Sequence, residues 1–369
     1  MRIVLMKKVP EEPLLLRRWN ELVVQMERPQ VFYTCEWALA VQSAYHAALK
    51  PLLFLGYDED DLVAVASLAT DASGDEVSFL AANTADYCEF LCHPQRRAEF
   101  VEAIFDRLKQ LKMGTLKLAN LPADSATPNA LRTAGKKYGF HVHLRPAYSC
   151  PQVELGSAAQ RQEFKTMVKG KRQLRRCLRA LEREGPVTAT YLHSWNEIQA
   201  ALPAFFEAHV ARFQARQRTS FLETGERQLF MEDLAKRLSD SGIVTFSSFK
   251  IADRPVAWSF GFQFHEGWFL YQTTFDIRCE ENSPGYCLLA KILIEACDMS
   301  SMARVDLGLG AEGYKEWFAN SARQTLYAAV TASTVRHWRE ITRYRIATEV
   351  KRSPRLEAAI RNGLSRLGL

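Results

Sequence analysis

IVTFSSFKIADRPVAWSFGFQFHEGWFLYQTT, residues 243–274, holds three apolar runs divided by two short polar breaks. Ile243–Ala252, Val256–Phe264 and Trp268–Thr274 are rich in β-branched and aromatic residues, which predicts three antiparallel strands. Asp253-Arg254-Pro255 supplies the turn between the first two. Downstream the period changes from strand to helix. Gly285–Cys297 reads as a helix, Arg304–Leu307 as a strand, Gly313–Phe318 as a short helix and Thr325–Ala332 as a closing strand. Upstream, Val187–Leu192 is a strand, and Trp195–Gln214 and Glu226–Leu238 are helices, the second ending near Gly242.

The first half of the chain runs through a similar order. Arg2–Met6 is a short strand, and Leu14–Met26 and Thr34–His46 have helical period. Pro51–Tyr57 and Leu62–Thr70 are strands joined by Asp58-Glu59-Asp60-Asp61, and Val77–Leu80 is a third. Arg96–Lys112 is a helix, with Phe100, Ile104, Leu108 and Leu111 on one face. Thr115–Ala119 is a strand, Asn129–Tyr138 a helix closed by Gly139, and Phe140–Leu144 opens the last strand. Helices, three antiparallel strands, helix, strand, helix, strand thus occur twice, which predicts a duplicated α/β unit with mixed sheets. The expected division is 1–150, 151–334 and a basic helical tail over 335–369.

The 369 residues suffice for two domains with real cores. With 47% hydrophobic and 24% charged residues, the composition is that of an ordinary globular protein. Lys7 and Lys8 are followed at once by Pro10-Glu11-Glu12 rather than an apolar run, so no secretory signal is expected and the cytoplasm is the expected compartment. No long apolar run predicts a membrane span. Cys88, Cys92 and His93 form one tight cluster, but no further ligands stand at matching spacing. We therefore expect reduced thiols and no metal.

The net charge of +6 is unevenly spread. Arg161–Arg183 holds nine Lys or Arg, and Lys165, Lys169, Arg172, Arg176, Arg179 and Arg183 fall on one stripe of a predicted helix. Phe164, Met167, Leu174, Leu178 and Leu181 form the neighbouring apolar stripe. A solvated face, an anion site for phosphates and a nucleic-acid surface all fit such a stripe. The lack of interleaved aromatics counts against nucleic acid. The tail repeats the theme, with Arg336, Arg339, Arg343 and Arg345 among its cations and Trp338, Ile341 and Tyr344 available for packing. It can lie on an anionic membrane or pack on the body.

Ser283-Pro284-Gly285 sits between a strand and a helix. Ser is a good cap, Pro fits the first helical position, and Gly leaves room for a ligand at the positive helix end. Alone, these three residues read as a plain helix start. Asp276, Asp306 and Glu312 are carboxylates able to act as a base, and Lys315 can neutralise an oxyanion or phosphate. Tyr271 and Tyr314 can line a pocket or stay in the core. His193, His209 and His265 have no Ser or Cys partner recognisable by motif, and no Gly-x-Ser-x-Gly or phosphate-binding glycine loop occurs.

Taken in order, Phe275-Asp276, Ser283-Pro284-Gly285 with Leu288-Leu289, Asp306-Leu307-Gly308, Gly313-Tyr314-Lys315 and Trp317 resemble the CelD-like branch of the GNAT acyltransferase superfamily. Lys171–Glu184 resembles the arginine-rich helix before that family's second domain, Phe32 with Trp37 an early aromatic pattern, and Asp86-Tyr87 a first-domain Asp-Tyr. Asn282 stands where the family often has an aromatic. The resemblance implies tandem GNAT domains in a Fem-like layout, with acetyl-CoA or another acyl-CoA as donor and a sugar or sugar-nucleotide of exopolysaccharide synthesis as acceptor. It implies Asp306, Lys315 and Tyr314 as catalytic. Ser283, Pro284, Gly285 and Tyr271 would hold the donor, and Asp86, Tyr87, Arg172 and Arg176 the acceptor. An aminoacyl-tRNA-dependent Fem-like transferase and a non-catalytic scaffold of a membrane polysaccharide synthase are the alternatives.

Overall fold

Period-two burial organises the sheet. Along 244–271, Phe246, Phe260, Phe262, Phe269 and Tyr271 enter one core, while Phe249, Ile251, Ala257, Trp268 and Leu270 enter the other. Both faces are covered, so these strands read as near-continuous apolar runs. The computed structural model describes residues 1–310 and 313–352.

The first half comprises β1 (Arg2–Met6), α1 (Pro13–Val24), α2 (Cys35–Ala44), β2 (Leu49–Asp58), β3 (Asp61–Asp71), β4 (Val77–Phe79), β5 (Leu91–Cys92), α3 (Arg97–Gln110), β6 (Thr115–Pro122), α4 (Thr127–Tyr138) and β7 (His141–Glu154). The second comprises α5 (Ala158–Gly170), α6 (Arg172–Glu182), β8 (Val187–Leu192), α7 (Trp195–Gln214), α8 (Gly225–Ser239), β9 (Val244–Ile251), β10 (Arg254–Phe264), β11 (Gly267–Phe275), α9 (Pro284–Asp298), β12 (Arg304–Asp306), α10 (Gly313–Glu316) and β13 (Ser321–Thr331). α11 (Thr334–Arg352) follows. The order expected from sequence is therefore present twice.

One mixed sheet runs through both halves in the order β1-β2-β3-β4-β6-β13-β7-β12-β11-β10-β9-β8, with β5 on β3. Among the described residues only β4–β6 and β11–β12 are parallel. The last strands are exchanged. β13, from the chain's end, lies between β6 and β7, while the end of β7 pairs with β12. β7 is long enough to do both: His141–Gln152 pairs with β13 across one register shift, and Gln152–Glu154 pairs with β12 on its other edge.

Aromatic packing fixes the halves to each other. Trp37 of α2 is fully buried and meets Phe230, Phe262 and Tyr271 of the second half. Its indole N–H donates to Thr84 Oγ1 at 3.0 Å. Trp37→Phe removes that bond and part of a buried ring. It is expected to cost about 2 kcal/mol, read as a lowered denaturant midpoint in a single transition.

Several local expectations are corrected. The basic stretch is two helices, because Lys171 adopts φ −60°, ψ 117° and breaks the run after Gly170. The stripe is divided there, Met167 is exposed, and Val168 takes the buried place. The β9–β10 turn centres on Ala252-Asp253, with Arg254 and Pro255 already in β10, because Ala252 takes the left-handed conformation. Ser283 does not cap α9 with its side chain; it is itself left-handed, at φ 47°. α11 packs on β7 and β13, stacking His337 on His141 and setting Arg145 between Tyr327 and Tyr344. Trp338, one of the tail residues available for packing, is 58% exposed. Arg355, Arg361 and Arg366 lie outside the described residues. No described helix is long and apolar enough to cross a membrane.

Candidate active site

The two parallel pairs matter because each ends early and the strands then part. In the second half, β11 and β12 pair only from Gly267↔Arg304 to Phe269↔Asp306. Beyond that, Leu270–Phe275 have no strand neighbour on the β12 side among the described residues, and a cavity of ≈ 270 Å³ opens. Leu270, Thr273, Phe275, Leu288, Leu307 and Trp317 are among its wall residues, with Ser283 and Gly285 at the start of α9. A Cβ on Gly285 would come within 3.3 Å of the Phe275 ring. Glycine there lets the helix start lie close to β11 without crowding that ring.

In the first half the corresponding gap is filled by the chain itself. Ala85–Cys92 is buried between β3 and β6. The Cys88 N–H donates to the Asn120 carbonyl at 2.9 Å, and Asn120 Nδ2 donates to the Ala85 carbonyl at 2.8 Å. Only ≈ 30 Å³ is left beside Cys88 and Glu89. The duplicated unit thus has one open gap and one closed gap.

A larger cavity of ≈ 1160 Å³ lies between the halves. It shares Leu270, Thr273, Leu307, Tyr314 and Lys315 with the smaller one, so the two meet at these residues. The helix after β12 is a single turn, Gly313–Glu316, against twelve residues in α4. That shortening places Tyr314 and Lys315 at the junction.

Beneath the junction is a buried polar network. Asp306 is 1% exposed. Its Oδ2 accepts from the Tyr87 hydroxyl at 2.7 Å and from Gln152 Nε2 at 2.6 Å, and its Oδ1 accepts from the Gly308 N–H at 2.9 Å. Gly308 has φ +77°, and a Cβ there would sit 2.7 Å from the Leu270 carbonyl oxygen, so the turn requires glycine. The turn delivers the Leu309 N–H to Asp86 Oδ2 at 3.3 Å. Lys315 Nζ, nearly buried, donates to the Leu309 carbonyl at 3.0 Å. Burial, then the neighbouring Asp306 charge, pushes the Asp86 carboxyl up to about 7; the Leu309 N–H, Lys315 and Arg227 oppose that rise. Burial, then Asp306, also pushes the Tyr87 phenol well up.

The residues named from sequence are thus distributed unequally. Lys315 and Tyr314 line both cavities, Ser283 and Gly285 the smaller, and Asp86 and Tyr271 the larger. Tyr271 stands apart from Ser283 and Gly285; its hydroxyl accepts from Arg227 at 2.7 Å and donates to the Thr84 carbonyl. Asp306, Tyr87 and Pro284 are buried beside the walls without lining either cavity. Arg172 and Arg176 point to solvent on α6 and line neither, whereas their neighbour Gln173 lines the smaller. Asp276 is engaged by Arg278 at 2.7 Å and Arg254 at 3.6 Å; the hydrogen bond from Arg278 holds its carboxyl below the usual range. Glu312 lies outside the described residues.

Two residues were missed. Gln152 is one polar residue in a long strand, and its role depends on the strand exchange. Arg227 carries no motif. His209, which no motif pairs with a serine, has its Nδ1 2.8 Å from Ser220 Oγ. Both residues are fully buried, and Ser220 Oγ already accepts the Leu222 N–H. The imidazole stacks on Phe213, and burial, then Arg212 and Arg227, push it down to about 3. It is a neutral wall residue.

Residues 168–316 match the family model described as an acetyltransferase (GNAT) domain. No curated protein matches the chain. Among solved structures, FemX superposes with a TM-score of 0.59 at 9% identity, covering 89% of this chain and 97% of FemX. The C-terminal domain (DUF2156) of a putative lysylphosphatidylglycerol synthetase from Agrobacterium fabrum gives 0.54 at 9% identity, covering 88% and 94%. A conserved protein of unknown function from Bacteroides thetaiotaomicron VPI-5482 gives 0.54 at 13% identity, covering 86% and 97%. The fold is that of FemX, and the match to the GNAT acetyltransferase domain model falls within the second half.

Proposed function

We propose that the protein is an acyl-CoA-dependent acyltransferase whose donor enters the second-half gap and whose acceptor occupies the larger cavity. The observation that carries this reading is the meeting of the two cavities at Tyr314, Lys315 and Leu307, beside the buried carboxylate Asp86. The unpaired edge of β11 offers backbone groups to the amides of a pantetheine arm, as an added strand would. The helix start at Ser283–Gly285 suits a pyrophosphate. In this reading the acceptor N–H or O–H gives its proton to Asp86 while the nucleophile attacks the thioester carbonyl. Lys315 provides positive charge where the oxyanion forms. The acyl–sulfur bond then breaks, the acyl group stays on the acceptor, and the thiolate takes the proton back from Asp86 and leaves as the thiol, restoring the carboxylate. Asp306 positions rather than reacts. The resemblance to the CelD-like branch supports a sugar or sugar-nucleotide acceptor in exopolysaccharide synthesis, at the cytoplasmic side of a membrane or beside a synthase complex.

Calorimetric titration with acetyl-CoA tests the donor assignment. One site is expected, and Gly285→Val, which crowds Phe275 and the cavity, is expected to weaken it at least about tenfold with the fold intact. Absence of binding to the parent chain would sink the proposal.

The likeness to FemX and the exposed basic helix α6 beside Gln173 support a second reading, in which the donor is an aminoacyl-tRNA. That reading requires tRNA affinity with a steep salt dependence, lost on charge reversal at Arg172 and Arg176.

A further inference from the structure

The larger cavity has a one-sided charge. Arg145, Arg212, Arg216, Arg218, Arg227 and Lys315 line it, and Asp86 is its only carboxylate among the described residues. Arg216 is neutralised by Glu280. Arg227 is different. It is only 8% exposed, and no carboxylate among the described residues lies within ion-pair distance of it. Its Nη1 donates to the Asn83 carbonyl at 3.0 Å and its Nη2 to the Tyr271 hydroxyl at 2.7 Å, both neutral acceptors. Its Nε is buried with no hydrogen-bond partner. Phe221, Phe230 and Tyr271 surround the guanidinium at 4.8, 5.3 and 5.6 Å from their ring centroids.

A guanidinium withdrawn from water loses hydration that neutral hydrogen bonds and ring contacts offset only in part. A missing counter-charge is the simplest completion. The wall around it is suited to one: Arg218 lies over Phe213 and Arg145 over Tyr327, each held in place by a ring.

We infer that the larger cavity contains an oxyanion subsite seated on Arg227, so that the acceptor is an acidic molecule carrying a phosphate or carboxylate group. This rests on the larger cavity being the acceptor site and adds the chemical class of what enters it. Arg227 donates to the carbonyl of Asn83, three residues before Asp86 on the same cavity-lining segment, so the anchored anion would lie on the same side of the cavity as the proposed base.

The test is calorimetric titration of inorganic pyrophosphate, and separately of citrate, into the full chain already saturated with CoA, which removes the donor's own phosphates from the comparison. Saturable binding of one probe that weakens as salt rises is expected. Arg227→Gln is expected to weaken it about tenfold or more, the equivalent of one charged hydrogen-bonded contact. Arg218→Gln, at an exposed position that leaves folding intact, is expected to weaken it a fewfold. Pyrophosphate preference points to a phosphorylated acceptor, citrate preference to a carboxylated one. No binding of either probe to the CoA-saturated chain, or equal binding by the parent and both variants, overturns the subsite. If CoA itself fails to bind, the function proposed above falls, and the same titrations on the free chain still decide the anion subsite.

Discussion

Asp86→Asn is expected to lower the acyl-transfer rate about 10²- to 10⁴-fold while leaving acetyl-CoA affinity unchanged. The expectation comes from placement. Among the carboxylates singled out from sequence, Asp276 is engaged by two arginines and Asp306 by three donors, whereas Asp86 lines the larger cavity with one described hydrogen bond, from Leu309. In the parent, the rate is expected to rise with pH through about 7, as the Asp86 carboxyl loses its proton. Stability moves oppositely. The folded-state carboxyl titrates above its ordinary value, so the native state holds more protons than the unfolded chain between the two values, and stability falls as pH rises through that window. Asp86→Asn carries no such titration. It is therefore expected to gain stability over the parent as pH rises toward 7, with the gain constant above that. A variant that keeps its rate, or loses CoA affinity equally, would remove Asp86 from the role of base.

Much of the fold was legible in the sequence because burial on both faces of the sheet left long apolar runs with clear breaks. The helix Trp195–Gln214 and the strand Val187–Leu192 match their expected ends. What was not legible concerns partners. Nothing in 141–154 or 321–331 announces that these strands cross between halves, since any apolar strand can pair with any neighbour of suitable register. Gln152 therefore carried no signal, although it reaches Asp306 only because β7 does. The same applies to the closed first-half gap, which depends on Asn120 folding onto Ala85 and Cys88. Asp86-Tyr87, by contrast, was marked by its resemblance, but the sequence did not distinguish the two side chains: one faces the cavity, the other is 0% exposed beneath it. At Ser283 the expected cap failed because the chain turns through the left-handed region, which directs the side chain away from the helix start.

Asp306→Ala is expected to destabilise the protein by about 3–5 kcal/mol, far beyond an ordinary surface substitution. The carboxylate is the common acceptor for Tyr87 and Gln152 from the first-half strands and segments, and for Gly308 from the second. Its removal leaves three buried donors without that acceptor, each costing about 1–3 kcal/mol, with repacking and water entry recovering part. The loss also frees the turn at Gly308, whose left-handed backbone presents Leu309 to Asp86. Activity should therefore fall with stability, even though Asp306 itself reaches neither cavity. Comparison with Tyr87→Phe, which removes one donor rather than the shared acceptor, separates the contributions: about 1 kcal/mol is expected there, and the double variant should fall short of the sum because the hydroxyl no longer needs satisfying. Denaturant midpoints for the three chains measure this directly. Strict additivity would mean that the hydrogen bond between Tyr87 and Asp306 does not tie the halves together at the site.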